Sequence, residues 1–215
     1  MARATTKTAI ANRTASLLKV DAVASIDPPD SGSKFAKKAA QWYDDARRET
    51  LQDHIWNFAE TTAVLAADAT APAAGKYGNR YLLPVNYIRI AWIGDEDYPD
   101  EDYKIKDGYI HTNASGPLEI GYIYDQTDVS KFTPKFIKCL ACKLAVYLAY
   151  DMTGNRSMVG EMEKAYMDAL STAATIDGQE SPPPRKIRRS KWRAARDGRR
   201  RLHGYDGYYQ GRVKT

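Results

Sequence analysis

Three histidines, two cysteines, one dense run of carboxylates and one dense run of arginines are the groups in this 215-residue chain that could carry chemistry. His54, His111 and His203 lie far apart, and none has the H-E-x-x-H spacing that sets two imidazoles on one helix face for zinc. His54 falls mid-way along an apolar helix face, where an imidazole reads as hydrogen-bonded rather than catalytic. Arg47 lies near the same line and reads as a paired arginine within a helical bundle, at a subunit contact. Cys139 and Cys142 form C-x-x-C, but a structural zinc needs a second ligand pair and a redox pair needs a helix N-terminus. Inside an apolar helix they read as small core residues.

The carboxylates are Asp95, Glu96, Asp97, Asp100, Glu101 and Asp102. The glycine and distal glutamate of a calcium loop are missing, so a solvated loop is expected rather than an ion site. It is also suited to meeting the basic tail of a neighbouring subunit. Gly75-Lys76-Tyr77 lacks the upstream glycine and the hydroxyl of a phosphate loop. Neither a nucleophile elbow nor a dinucleotide fingerprint is present. The expectation is a protein without catalytic residues, metal or cofactor.

The arginines are concentrated at the end of the chain. From residue 185 to 215 stand 12 Lys and Arg against Asp197 and Asp206, a charge of +10, while the remainder holds 20 basic and 25 acidic residues, a charge of −5. The formal net charge of +5 thus averages an acidic body and a basic tail, joined by Pro182-Pro183-Pro184. Arginine outnumbers lysine in the tail, which suits bidentate pairing with carboxylates or phosphates. Its interleaved Trp192, Tyr205, Tyr208 and Tyr209 suit stacking on bases or anchoring in a partner's pockets. The tail has too few patterned apolar residues to fold by itself. The two cysteines make no disulfide framework, no apolar run reaches bilayer length, and the first residues do not read as a secretory signal.

The elements that position these groups follow from periodicity. Helices are expected over about 6–20, 33–58, 133–152 and 157–175, the third opened by Thr133-Pro134 and closed by Gly154. Alternation over 86–93, 103–106, 109–112 and 118–124, with edge strands at 61–65 and 80–83, reads as an antiparallel meander. Asp107-Gly108 marks a hairpin whose turn needs positive φ at both central residues. The third helix is apolar nearly all round, interrupted only by Lys138 and Lys143, so it has to be covered all round. Burying Phe136, Leu140, Leu144 and Tyr147 against a neighbouring subunit is one way to do that. The fold class is α+β: a four-helix bundle with an inserted antiparallel β domain and an extended basic C-terminal tail. The expected parts are 1–58 and 130–178 for the two halves of the bundle, 59–129 for the β insert and 179–215 for the tail.

The order of motifs resembles the head-to-tail adaptor of short-tailed bacteriophages, the tail tubular protein A family. It is carried by Ala39-x-x-x-Tyr43-x-x-Ala46-Arg47-x-x-x-Leu51 running into His54-Ile55-Trp56-Asn57-Phe58-Ala59. Tyr81-Leu82-Leu83-Pro84-x-x-Tyr87-Ile88-Arg89, Ile120-Gly121-Tyr122-Ile123 and Phe132-x-Pro134-x-Phe136 follow in order. The resemblance covers most of 6–175 and leaves the arginine-rich tail unmatched. It implies a virion protein at the head-tail junction, present in the host cytoplasm during assembly. Twelve copies would form a ring between the portal protein and the tail nozzle protein, with DNA passing through the centre without sequence recognition.

On that reading the tail straps the portal through Arg185, Lys186, Arg188, Arg189, Lys191, Trp192, Arg193, Arg196, Arg199, Arg200, Arg201, Tyr205, Tyr208 and Tyr209. The acidic loop faces the tail components, and Arg47 and the third helix serve subunit contacts. The alternative is a nucleic-acid-binding protein that grips phosphates with the same basic tail.

Overall fold

The helices begin where side-chain oxygens can accept the first free N–H groups. Thr6 Oγ1 accepts from the Ala9 N–H at 3.1 Å and opens α1 (Lys7–Leu18); Ser33 Oγ accepts from Ala36 at 3.1 Å and opens α2 (Lys34–Asp53). Thr133, followed by Pro134, opens α3 (Pro134–Thr153), which Gly154 ends at φ 66°. Asn155 Oδ1 accepts from Ser157 at 2.9 Å at the start of α4 (Arg156–Glu180). The computed structural model describes residues 6–70, 75–94 and 102–180.

Two helix ends differ from the periodicity, for one shared reason. α2 stops at Asp53 rather than near residue 58, because Trp56 turns inward, fully buried, and its Nε1–H donates to the Thr50 carbonyl at 2.7 Å. Its ring meets Phe136 edge to face at 5.0 Å between centroids. α4 runs past Gly178 to Glu180, because Asp177 is buried against the corner that α2 vacates. Its carboxylate accepts from the Asn57 N–H at 3.2 Å and lies 3.1 Å from His54 Nε2. Tertiary contacts override local propensity at both places.

α3 is the central helix and packs on α1, α2 and α4. Thr14 on α1 donates to the Ala141 carbonyl at 3.0 Å. Phe136, Leu140, Leu144 and Leu148 are fully buried inside the chain's own core. Burial of each such side chain contributes about 2 kcal/mol. The expectation that Phe136, Leu140 and Leu144 meet a neighbouring subunit is therefore corrected: the covering comes from α1, α2 and α4 of the same chain.

The inserted strands are β1 (Glu60–Leu65), β2 (Asn79–Leu82), β3 (Tyr87–Ile93), β4 (Tyr103–Lys106), β5 (Tyr109–Thr112) and β6 (Leu118–Tyr124). They form two antiparallel three-stranded sheets, ordered β1-β6-β3 and β2-β5-β4, instead of the expected meander. The most buried strand, β6, takes the centre of the first sheet. Leu118, Ile120 and Tyr122 of β6 join Tyr81 and Ile110 of the second sheet in a core of their own, while Ile123 joins the helical core. β4, exposed at every position, takes an edge. The expected hairpin is present: Asp107 and Gly108 have φ of 52° and 78°.

The β portion is fastened to the helices by Arg47. The residue is 2% exposed; its guanidinium ion-pairs Asp125 and donates from Nη1 to the Gln126 carbonyl at 2.8 Å. Its Nε donates to Asp44 at 3.3 Å, and Arg48 adds a 3.0 Å contact to Asp125. Arg89 Nη1 donates to the Gln52 carbonyl at 2.9 Å beside them.

Candidate interaction groove

Lys143, Val146, Tyr147 and Tyr150 recur at i, i+3, i+4 and i+7, so they line one side of α3. This is the side its three neighbours leave partly open: the first three are half-buried and Tyr150 is 52% exposed. α2 forms one wall with Trp42, Glu49 and Asp53. α4 forms the other with Glu163, Tyr166, Met167 and Leu170, and Met167 is 64% exposed. The depression between α3, α4 and Asp53 holds about 470 Å³.

The groove is shaped by rigid aromatic contacts. Trp42 stacks on Tyr147 with centroids 5.2 Å apart and planes 7° from parallel. The Tyr147 hydroxyl donates to Glu49, and the Tyr166 hydroxyl donates to Asp53 across from α4 to α2. Burial and then the hydrogen bond to Asp53 push the Tyr166 phenol far up, so it stays a donor at every physiological pH. Lys143 sits on the floor, 2.8 Å from Glu49, 3.5 Å from Asp53 and 4.7 Å over the Tyr166 ring. Burial works to raise the Glu49 carboxyl, but hydrogen bonds from Lys143 and Tyr147 outweigh it and hold it below the usual range. One ammonium thus answers Asp53 and Glu49, and Glu163 adds a further carboxylate. The arrangement is an acidic, aromatic trough with exposed methylene and thioether surface.

The other expected residues fall as follows. Arg47 is the buried anchor of the β portion, paired as expected but enclosed by its own chain rather than presented to a neighbour. Tyr147 alone of the expected subunit-contact residues lies in the groove. His54 is held by Asp177, and Cys139 and Cys142 are buried thiols; burial pushes Cys139 up to about 12, which leaves it inert. Asp102 is exposed, with its carboxylate on Lys76 and 2.9 Å from the Tyr77 hydroxyl, while Asp95, Glu96, Asp97, Asp100 and Glu101 lie outside the described residues. So does every tail residue from Arg185 to Tyr209. Among the described residues no three His, Cys, Asp or Glu side chains are placed to hold a metal, and no helix is long and apolar enough to cross a membrane.

Sequence reasoning passed over Trp42, Val146, Tyr150, Glu163, Tyr166 and Met167. The signal was Lys143: a charge on an otherwise apolar helix marks the open side. No family model matches the chain, and no curated protein matches it.

Proposed function

We propose that the chain is a structural virion protein, the head-to-tail adaptor of a short-tailed bacteriophage. Its copies stand side by side in a ring between portal and tail nozzle. The observation that carries this reading is the open side of α3, where stacked Trp42 and Tyr147, exposed Tyr150 and Met167, and two carboxylates sharing one ammonium border an otherwise closed helical core. A large aromatic and thioether surface rimmed by charge is the composition of a protein contact. The motif order that resembles the tail tubular protein A family supplies the kind of assembly.

In this account the helical part makes the lateral contacts and the β insert meets the tail components. The −5 charge of residues 1–184 lets DNA pass through the ring without sticking. The segment from Arg185 to Tyr209 straps the portal, its arginines on portal carboxylates and its aromatics in pockets. Ordering such a strap costs entropy, so one copy binds weakly and the ring binds tightly through avidity.

Removal of residues 181–215 tests this. The truncated protein is expected to fold and to lose its hold on portal particles in co-sedimentation. A truncated protein that still completes heads would refute the strap. The nucleic-acid reading, favoured only by the +10 tail, makes a different demand: tight binding of bare duplex DNA with a salt slope that counts phosphates.

A further inference from the structure

We infer that the groove between α2 and α4 receives the outer face of α1 from a second copy of the chain. The inference names the partner of the groove and rests on the reading of that groove as a lateral contact.

The two surfaces lie on opposite sides of α3. α1 is fixed to α3 at Ala141 by the Thr14 hydroxyl. At roughly 100° per residue, Ala141 and Tyr150 point about half a turn apart, so the side of α3 that faces α1 is the one opposite the groove. α1 spends Ile10, Ala11, Thr14, Ala15 and Leu18 on its own core. That leaves Arg13 and Leu17, an i, i+4 pair, with Ser16 and the following Lys19 facing outward. Leu17 is 36% exposed.

The chemistry of the two faces is complementary. α1 contains no acidic residue, and its outward charges are cations. Among the described residues lining the depression, Asp53 and Glu163 stand against Lys143, which also pairs Glu49 beside it, with Met167 and Leu170 as apolar surface; Arg156 lies farther along, over Tyr150. Arg13 meets carboxylate and Leu17 meets Met167 when the face of one copy enters the groove of the next. Ser16, with its short side chain, allows close approach.

Such a contact is heterologous. Each copy gives one surface and receives on the other, so growth continues until rotation closes a ring. A twofold dimer would bury the same patch twice and stop.

Full-length protein in sedimentation velocity decides the matter. Two double variants are needed: Arg13→Glu with Leu17→Asp, which spoils α1, and Glu163→Arg with Met167→Asp, which spoils the groove. All four positions are on the surface, and circular dichroism checks that each variant folds. Wild type is expected to self-associate, and each variant alone to do so at least about tenfold more weakly. Mixed in equal amounts, the two variants retain one good interface and give a heterodimer that grows no further. The charge swap of Arg13→Glu with Glu163→Arg in one chain restores part of the loss. A wild type that stays monomeric at its highest soluble concentration, variants that associate like wild type, or a mixture that stays monomeric overturns the inference.

Portal particles separate this outcome from the adaptor reading. If wild type and both variants load portal particles equally, the adaptor reading stands and the α1 contact falls. If wild type ignores the portal, the adaptor reading falls whatever the chain does by itself.

Discussion

Arg47 is the residue on which the two halves of the fold depend. Its guanidinium is enclosed, and Asp125 beside it keeps a side-chain exposure of only 17%. Removing one partner of such a pair leaves the other charge desolvated and alone. Arg47→Ala is therefore expected to lower stability by about 3 kcal/mol in urea unfolding. Arg47→Lys should recover little, because one ammonium cannot serve Asp44, Asp125 and the Gln126 carbonyl together.

The pH dependence carries the same signature. Burial acts to raise the Asp125 carboxyl, but the hydrogen bond and charge of Arg47, with those of Arg48, hold it below the usual carboxylate range. A depressed folded pKa gives stability that is complete above the unfolded value, near 3.9, and lost as pH falls through the folded one. Thermal melts from pH 6 to pH 2 should thus show an acid loss in wild type that is shallower in Arg47→Ala. That Arg47 is paired was legible from its place on an apolar face. Its partner was not, because Asp125 lies 78 residues away and only the fold brings the two together.

Elements were legible where a local rule decides them and illegible where packing does. Thr6, Ser33, Thr133-Pro134 and Gly154 mark helix ends by their own hydrogen bonds or φ, and Asp107-Gly108 marks its hairpin the same way. The strand order is a tertiary outcome, since β6, at the centre of its sheet, gives Ile123 to the helical core and Leu118, Ile120 and Tyr122 to the other.

Close packing on β6 makes a test at this scale. A Cβ on Gly121 would come within 2.2 Å of Trp92 Nε1, whose N–H donates to Glu60 at 3.1 Å. Gly121→Ala is expected to cost 1–3 kcal/mol by overpacking, roughly the range for a core insertion. Adding Trp92→Ala should remove the clash, so the double variant should lose less than the sum of the singles. Additive losses would mean that the indole does not lie over Gly121.

The chain as a whole joins an acidic body of −5 to a basic segment of +10. The helix-rich body builds both of its cores from residues 10–173. Truncation after Glu180 should accordingly leave the melting temperature nearly unchanged, as differential scanning calorimetry would show. The groove was half legible: an all-apolar α3 signalled that something must cover it, but not that its own neighbours cover all but the side bearing Lys143 and Tyr147.

The central claim is an adaptor ring seated on a portal, and electron microscopy of portal-bearing heads mixed with the full-length protein tests it most directly. The account predicts a twelve-fold ring of added density, one copy per portal subunit, attached below the portal and open at its centre. Heads that keep a bare portal at saturating protein, or protein bound instead along released DNA, would contradict it.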